Sequence, residues 1–375
     1  MSPEFVDPLA KTRRRPAATT APSAAVRRDR GAARGRVDLT APPETVLPAI
    51  FNPFAEGAAP AVMTRLALDW IIDEPVLNQL FEETTQDGYT REWLLEHFVQ
   101  VLVDVACGFR KSPRAAFRHR QLELIASLSS FYGKLRRMEL AIPAAVVRHT
   151  AQRARELIVG AGALMPEPIK GYATRILDGN ALAGTEHRIV PLRDLGAAGL
   201  PGKSLAIYEP ASGLIGAVVL EEDGHAQERS LLDQVPVEPG QLWIADRNFC
   251  VRTFLFRIQR SGAFFLVRRH AQNLPFQELT PLEDQGRCET GRVFEQAIAV
   301  EDTEFPGVVH QLRRIVLQLD QPTRSGETEI VLVTNLPAEV SAQACCQAYR
   351  DRWQIEIFHP DYPSSASLYR RNWAA

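Results

Sequence analysis

The sequence lacks a hydrophobic run long enough to cross a membrane, although 45% of its 375 residues are hydrophobic. A membrane-spanning helix needs about 20 consecutive apolar residues, and the N-terminal stretch has no apolar core of the kind that secretory signals carry. These two absences predict a cytoplasmic protein with no membrane partner. The composition, with 23% charged residues, is that of a globular protein, and the length allows two or three domains.

Cysteine and histidine are both scarce and are spaced poorly for metal binding. The eight histidines contain no HxxxH pattern. The cysteines are odd in number and show no paired ligand spacing, so we expect reduced thiols and no zinc site. The five cysteines are at positions 107, 250, 288, 345 and 346.

The chain also lacks an overall excess of basic residues, because its formal charge at pH 7 is −2. Binding to nucleic acid would therefore need a local basic surface. Residues 110–155 hold eleven Lys or Arg against two acids, a local charge of +9 (11 − 2). Arg114, Arg118 and Arg120 lie in this segment and are candidates for DNA binding. A solvated charged face with no partner is the alternative.

Two segments precede the first predicted strand. Residues 1–45 are rich in Ala, Pro, Thr and Arg, and this composition predicts a disordered basic arm. The arm could contact DNA phosphates, but we favour the alternative that it is a solvated tail or upstream sequence translated from a misassigned start. Residues 46–165 have helical periodicity, and Ser112 followed by Pro113 predicts the start of one helix. We expect an all-helical, DNA-binding domain here.

From Pro168 onward the pattern changes to short apolar runs typical of strands. Two of these runs end in aspartate, Asp178 and Asp246, and two others predict a β-hairpin. The order is three strands, a helix, a strand, a helix and a strand. The runs are TRILDGN, KSLAIYE, LIGAVVLEE, HAQERSLLDQV, QLWIAD, CVRTFLFRIQRSG and AFFLVRRH.

A β-rich insertion over about 271–328 separates this block from the last helix. Within it VFEQAIAV and VHQLRRIVLQL alternate apolar and polar residues, which predicts exposed antiparallel strands. The run IVLVTNLP then predicts a buried strand that leads into the last helix.

The last predicted helix carries a group of polar side chains. Ser341 is a favourable N-cap, and residues 342–358 contain no Gly or Pro. Tyr349, Arg352 and Glu356 follow one another at spacings of three and four, so they share one face of the helix. A solvated Arg–Glu pair one turn apart is the alternative interpretation.

Two carboxylates at strand ends and a third on a helix make the set that two-metal phosphoryl transfer requires. Asp178 in a DG turn, Asp246 in ADRNF and the Tyr-x2-Arg-x3-Glu helix make the region from Gly171 to Phe358 similar to DDE transposases of bacterial insertion sequences. The closest resemblance is to the insertion-sequence-four family. It implies an α/β, ribonuclease-H-like catalytic core over residues 166–358, in which the first strand, the fourth strand and the last helix carry the carboxylates.

The resemblance also implies an activity and a set of roles. The protein would be a transposase that cleaves DNA at insertion-sequence ends and transfers the strands. Asp178, Asp246 and Glu356 would be catalytic and would bind Mg²⁺ or Mn²⁺, and Tyr349 and Arg352 would bind DNA near the cut. The partner would be double-stranded DNA, at element ends and target, in the bacterial nucleoid. Intact relatives are expected to self-associate on DNA.

The resemblance stops after Glu356. The family pattern has a lysine seven positions later, where this sequence has Pro363. Since proline ends helices, we expect a truncated or frameshifted copy with an aberrant tail over residues 359–375. Three hypotheses remain open: a transposase weakened by its tail, a non-catalytic DNA-binding remnant that occupies element ends, and an unstable product with neither activity.

Overall fold

A computed structural model describes most of the chain as a mixed α/β structure. The described ranges are 57–86, 95–122, 124, 127–181, 202–221, 226–323 and 326–352. They all fall in one compact unit that spans residues 40–375. No helix in these ranges is both long enough and apolar enough to cross a membrane.

Eight α-helices and ten strands are described. The helices are α1 Ala59–Ile71, α2 Glu74–Thr84, α3 Leu95–Ala106, α4 Pro113–His119, α5 Leu128–Arg136, α6 Ala141–Gly160, α7 Arg252–Arg260 and α8 Ala342–Asp351. The strands are β1 Ala173–Ala181, β2 Lys203–Glu209, β3 Leu214–Glu221, β4 Gln241–Ala245, β5 Phe264–Arg268, β6 Gln277–Glu278, β7 Glu283–Cys288, β8 Gly291–Glu301, β9 Val309–Leu319 and β10 Glu329–Thr334. Two 3₁₀ segments cover Glu228–Gln234 and Arg247–Phe249.

Six helices precede the first strand, in the part of the chain with helical periodicity. Helix α4 starts as predicted, because the Ser112 hydroxyl accepts a hydrogen bond from the Ala115 N–H at 3.2 Å and Pro113 is the first helical residue. An apolar cluster separate from the sheet holds α3, α4 and α5 together. At its centre the rings of Phe98 and Phe131 stack with their centroids 5.0 Å apart.

All ten strands belong to one sheet of mixed direction. The order is β3-β2-β1-β4-β5-β10-β9-β8-β6, and β7 pairs with β8 as well. β1, β4 and β5 are parallel neighbours, whereas β2 runs antiparallel to β1 and forms the predicted hairpin with β3. The three parallel strands therefore end at the same edge of the sheet.

The strands β6 to β9 lie within the predicted insertion and extend the sheet on the side of β10. β8 and β9 pair antiparallel along eleven residues each, as their alternating patterns predicted. The expectation that both would be exposed is wrong, because alternate side chains such as Ile298 and Ile315 are fully buried. The consecutive residues Ile315, Val316 and Leu317 of β9 are all buried, so parts of both faces of this strand are covered.

Each face of the sheet has its own apolar core. On one face Leu177 and Trp243 pack with α7, and on the other face Ile176 and Ile244 pack with α8. Successive residues of a strand point to opposite faces of the sheet. Two neighbouring residues of one strand therefore belong to different cores. The predicted cap of α8 is confirmed, since the Ser341 hydroxyl accepts the Ala344 N–H at 3.2 Å.

Candidate active site

The two aspartates expected at strand ends occupy neighbouring positions. β1 and β4 pair in parallel as far as Leu177 and Ala245. Asp178 is the next residue of β1, and Asp246 directly follows the end of β4. The residues two positions earlier on both strands belong to the core beneath α8. By alternation, both carboxylates leave the sheet on the α8 side.

Helix α8 brings the predicted Tyr349 and Arg352 to this pair of carboxylates. Arg352 Nη1 lies 3.6 Å from Asp178 Oδ1, a distance typical of an ion pair and too long for a good hydrogen bond. The Arg352 side chain is 5% exposed and that of Asp178 is 21% exposed. The Arg352 guanidinium carbon is 5.7 Å from the Tyr349 ring centroid.

The Tyr349 hydroxyl is buried among charged groups of both signs. Burial raises the pKa of Tyr349, and the negative charge of Asp246 acts in the same direction. The positive charges of Arg352 and Arg268 oppose that rise. Because the pKa moves further above its ordinary value, the hydroxyl keeps its proton at neutral pH and can donate a hydrogen bond.

A local hydrogen bond fixes the orientation of Asp246. Its Oδ1 accepts the backbone N–H of Asn248 at 2.7 Å and so caps the 3₁₀ turn that follows β4. The cap uses Oδ1 of the carboxylate and does not involve Oδ2. The side chain is thereby held at the edge of the sheet by the turn that ends the strand.

Two residues that the sequence did not single out also belong to this edge. Arg268 is the next residue after the last pair of β4 and β5, Ala245 with Val267, and so lies beside Asp246. Glu327 Oε1 accepts hydrogen bonds from Arg268 Nη2 at 2.5 Å and from Arg247 Nη1 at 3.3 Å. Arg268 ends an apolar strand just as Asp246 does, and that signal could have identified it. Glu327 comes from a loop and has no comparable signal.

The glycine after Asp178 has a steric role. A Cβ at Gly179 would lie 2.6 Å from the carboxyl carbon of Glu228, and Glu228 Oε2 lies 3.5 Å from Asn248 Nδ2. The expected DG turn is wrong, because both residues lie inside β1, which pairs with β2 as far as Ala181. A larger side chain at position 179 would force the Glu228 carboxylate to move aside.

The donors at this edge suit a hard divalent cation. Mg²⁺ and Mn²⁺ prefer carboxylate oxygens, and Asp178 and Asp246 offer them from adjacent strands. Within the described ranges no three His, Cys, Asp or Glu side chains are grouped as a metal site. The third predicted ligand, Glu356, lies outside the described residues, as do Pro363 and the tail. The two aspartates fit a role as ligands, with the nearby Arg352 as a competing positive charge.

The basic residues of the helical part divide into exposed and engaged side chains. Arg114 and Arg118 are exposed, one turn apart on α4. Arg120 instead donates to both carboxylate oxygens of Asp104, at 2.8 and 3.0 Å. Arg153 is buried and lies 3.6 Å over the Trp70 ring. The local charge of +9 therefore overstates the basic surface that is available to a partner.

Comparison with known proteins adds no assignment to this geometry. No family model and no curated protein matches the chain significantly.

Proposed function

We propose that the chain is a metal-dependent DDE transposase that cleaves DNA and transfers strands at insertion-sequence ends. The observation that carries the proposal is the placement of Asp178 and Asp246 at neighbouring positions of parallel strands, beneath Tyr349 and Arg352. The two aspartates are 68 residues apart in the sequence (246 − 178), and α8 comes from a third segment. The convergence of the described candidates supports a common site, which Glu356 would complete.

We infer a ribonuclease-H-like core for residues 166–358, preceded by a helical DNA-binding domain over 46–165. In support, β1 to β3 are antiparallel neighbours, and the first and fourth strands are parallel neighbours. Helix α7 connects β4 to β5, and α8 packs on the face that carries the aspartates. The separate apolar cluster that joins α3, α4 and α5 supports a distinct helical domain.

The proposed chemistry assigns a role to each side chain. Bound Mg²⁺ or Mn²⁺ supplies charge stabilisation for in-line displacement at phosphorus, and Asp178, Asp246 and Glu356 would hold it. Arg352 offers the planar set of donors that suits a phosphate. The neutral Tyr349 hydroxyl can donate to a phosphate oxygen, and Arg268 adds positive charge at the same edge.

Double-stranded DNA is the proposed partner, and the exposed pair Arg114 and Arg118 would contact its phosphates. Such contacts make affinity fall with salt, with a log–log slope of about −0.9 for each phosphate neutralised. They position the duplex without reading its sequence. Arg120 would act indirectly, because its guanidinium is held by Asp104.

The test is cleavage of a duplex that carries the DNA flanking the gene, with Mg²⁺ or Mn²⁺ present. We expect Asp178→Asn, Asp246→Asn and Glu356→Gln each to abolish cleavage while the far-UV circular dichroism spectrum stays unchanged. Asp233→Asn, at an exposed aspartate, is the matched control and should cleave like the parent. Undiminished cleavage by Asp246→Asn would refute the assignment. Salt-dependent DNA binding with no cleavage by the parent would identify a non-catalytic DNA-binding protein.

A further inference from the structure

The ion pair between Arg352 and Asp178 joins two residues that the proposed function assigns to different ligands. Asp178 would bind the divalent cation, whereas Arg352 would bind a DNA phosphate, yet Arg352 Nη1 lies 3.6 Å from Asp178 Oδ1. We propose that this pair couples the two binding events, so that DNA strengthens cation binding and the cation strengthens DNA binding. The inference rests on the function proposed above and concerns the regulation of the same site.

Arg352 and a cation bound to Asp178 would repel each other. A guanidinium so close to Oδ1 stabilises the carboxylate and opposes a second positive charge at the same oxygen. The Arg352 side chain is only 5% exposed, so water and salt screen this repulsion poorly. Without DNA, the cation therefore has to bind against the field of Arg352.

A DNA phosphate would interact directly with Arg352. A guanidinium binds phosphate through short, charge-assisted hydrogen bonds, often in pairs. A phosphate beside Arg352 would neutralise its charge and draw the guanidinium from Asp178. The Arg352 guanidinium carbon lies 5.7 Å from the Tyr349 ring centroid, and the positive charges of Arg352 and Arg268 both lower the pKa of Tyr349, so Tyr349 and Arg268 lie near the same place. These neighbours would keep the phosphate next to Arg352.

The coupling between the cation and the phosphate is reciprocal. If the phosphate relieves the repulsion that opposes the cation, the bound cation must increase the affinity for the phosphate by the same factor. The site would thus bind its cation weakly in free protein and tightly on DNA. Coupling of this kind between two sites commonly amounts to about 5- to 150-fold in affinity.

The experiment measures Mn²⁺ binding to the full chain by electron paramagnetic resonance, with and without a short duplex of arbitrary sequence. We expect DNA to lower the Kd of the parent for Mn²⁺ by about fivefold or more. Asp178→Asn with the same duplex gives the reference for Mn²⁺ that binds DNA directly. The parent measurement tests the proposal even if a variant fails to fold.

A variant at Arg352 separates coupling from a structural role. Arg352→Gln removes the charge and keeps a shorter polar side chain. It should bind Mn²⁺ without DNA about as tightly as the parent does with DNA, and DNA should have no further effect. A purely structural role predicts weaker Mn²⁺ binding. Arg350→Gln is the matched control, since Arg350 lies on the same helix and pairs with Glu289; it should behave like the parent.

The outcomes distinguish failure of the coupling from failure of the proposed function. Equal affinity of the parent for Mn²⁺ with and without DNA, when both ligands bind, would overturn the coupling and leave the function standing. Mn²⁺ binding by a folded Arg352→Gln that is no tighter than that of the DNA-free parent would also overturn it. A parent that fails to bind Mn²⁺, or fails to bind DNA, would overturn both proposals together.

Discussion

The pair formed by Arg120 and Asp104 gives a prediction that separates a structural arginine from a DNA-binding one. Arg120 donates from Nε and Nη2 to the two carboxylate oxygens of Asp104. The Asp104 side chain is 11% exposed and that of Arg120 is 26% exposed. The hydrogen bond from Arg120 lowers the pKa of Asp104, against the opposing effect of burial, so the carboxylate is charged at neutral pH.

Replacing Arg120 by Ala would leave that charge largely buried without its bidentate donor. Removing one member of a buried ion pair costs about 3–5 kcal/mol. Because Arg120 is a quarter exposed, we expect the lower end, a loss of about 3 kcal/mol in the free energy of unfolding. Arg118→Ala, at an exposed position two residues away, should change it by less than about 0.5 kcal/mol.

The assay is urea denaturation followed by far-UV circular dichroism, together with the salt dependence of DNA binding. Arg118→Ala should flatten the log–log salt slope by about 0.9, whereas Arg120→Ala should leave the slope unchanged where the protein is folded. Since the folded pKa of Asp104 is depressed, the pair stabilises the protein above the unfolded pKa of about 3.9. That contribution is lost as the pH falls through the lower folded value. Equal destabilisation by the two variants would refute this account of Arg120.

Three further predictions concern the sheet and its edge. Gly291→Ala should lower the free energy of unfolding in urea by about 3 kcal/mol, because the new Cβ would lie 1.9 Å from a backbone carbonyl oxygen of β9. The control Gly133→Ala, at a position with open space around it, should not lower it. Asp302→Asn should flatten the loss of stability in acid. The pKa of Asp302 is lowered despite burial, chiefly by the hydrogen bond from His310. The stability that the charged Asp302 contributes is lost as the pH falls through its lowered pKa in the folded protein. Glu327→Gln should reduce kcat for cleavage and change the free energy of unfolding by less than about 1 kcal/mol. An unchanged kcat would mean that the hydrogen bonds of Glu327 to Arg268 and Arg247 do not contribute to cleavage.

Much of the local structure could be predicted because its causes are local. Ser112 and Ser341 cap their helices through hydroxyls that accept N–H groups three residues away. The apolar runs that end in Asp178 and Asp246 are buried strands because each contributes to the cores on the two faces. The resemblance implied that the first and fourth strands carry the two aspartates, and these two strands are parallel neighbours in the sheet.

Other features could not be read from the sequence because they depend on distant contacts. Arg268 and Glu327 are 59 residues apart, and their hydrogen bond exists only once β10 joins the sheet beside β5. The charge count that favoured Arg120 for DNA binding could not reveal that Asp104, sixteen residues earlier, engages it. Nor does a DG pair in sequence reveal that β1 continues past Gly179 beside Glu228.

The most direct measurement of the central claim is the position of Mn²⁺ in crystals of the full chain, located by anomalous diffraction. We predict Mn²⁺ directly coordinated by carboxylate oxygens of Asp178 and Asp246, and we predict that Asp246→Asn crystals treated in the same way lose it. Parent crystals grown with Mn²⁺ at a concentration that supports cleavage, but with neither aspartate coordinating the ion, would contradict the proposed site.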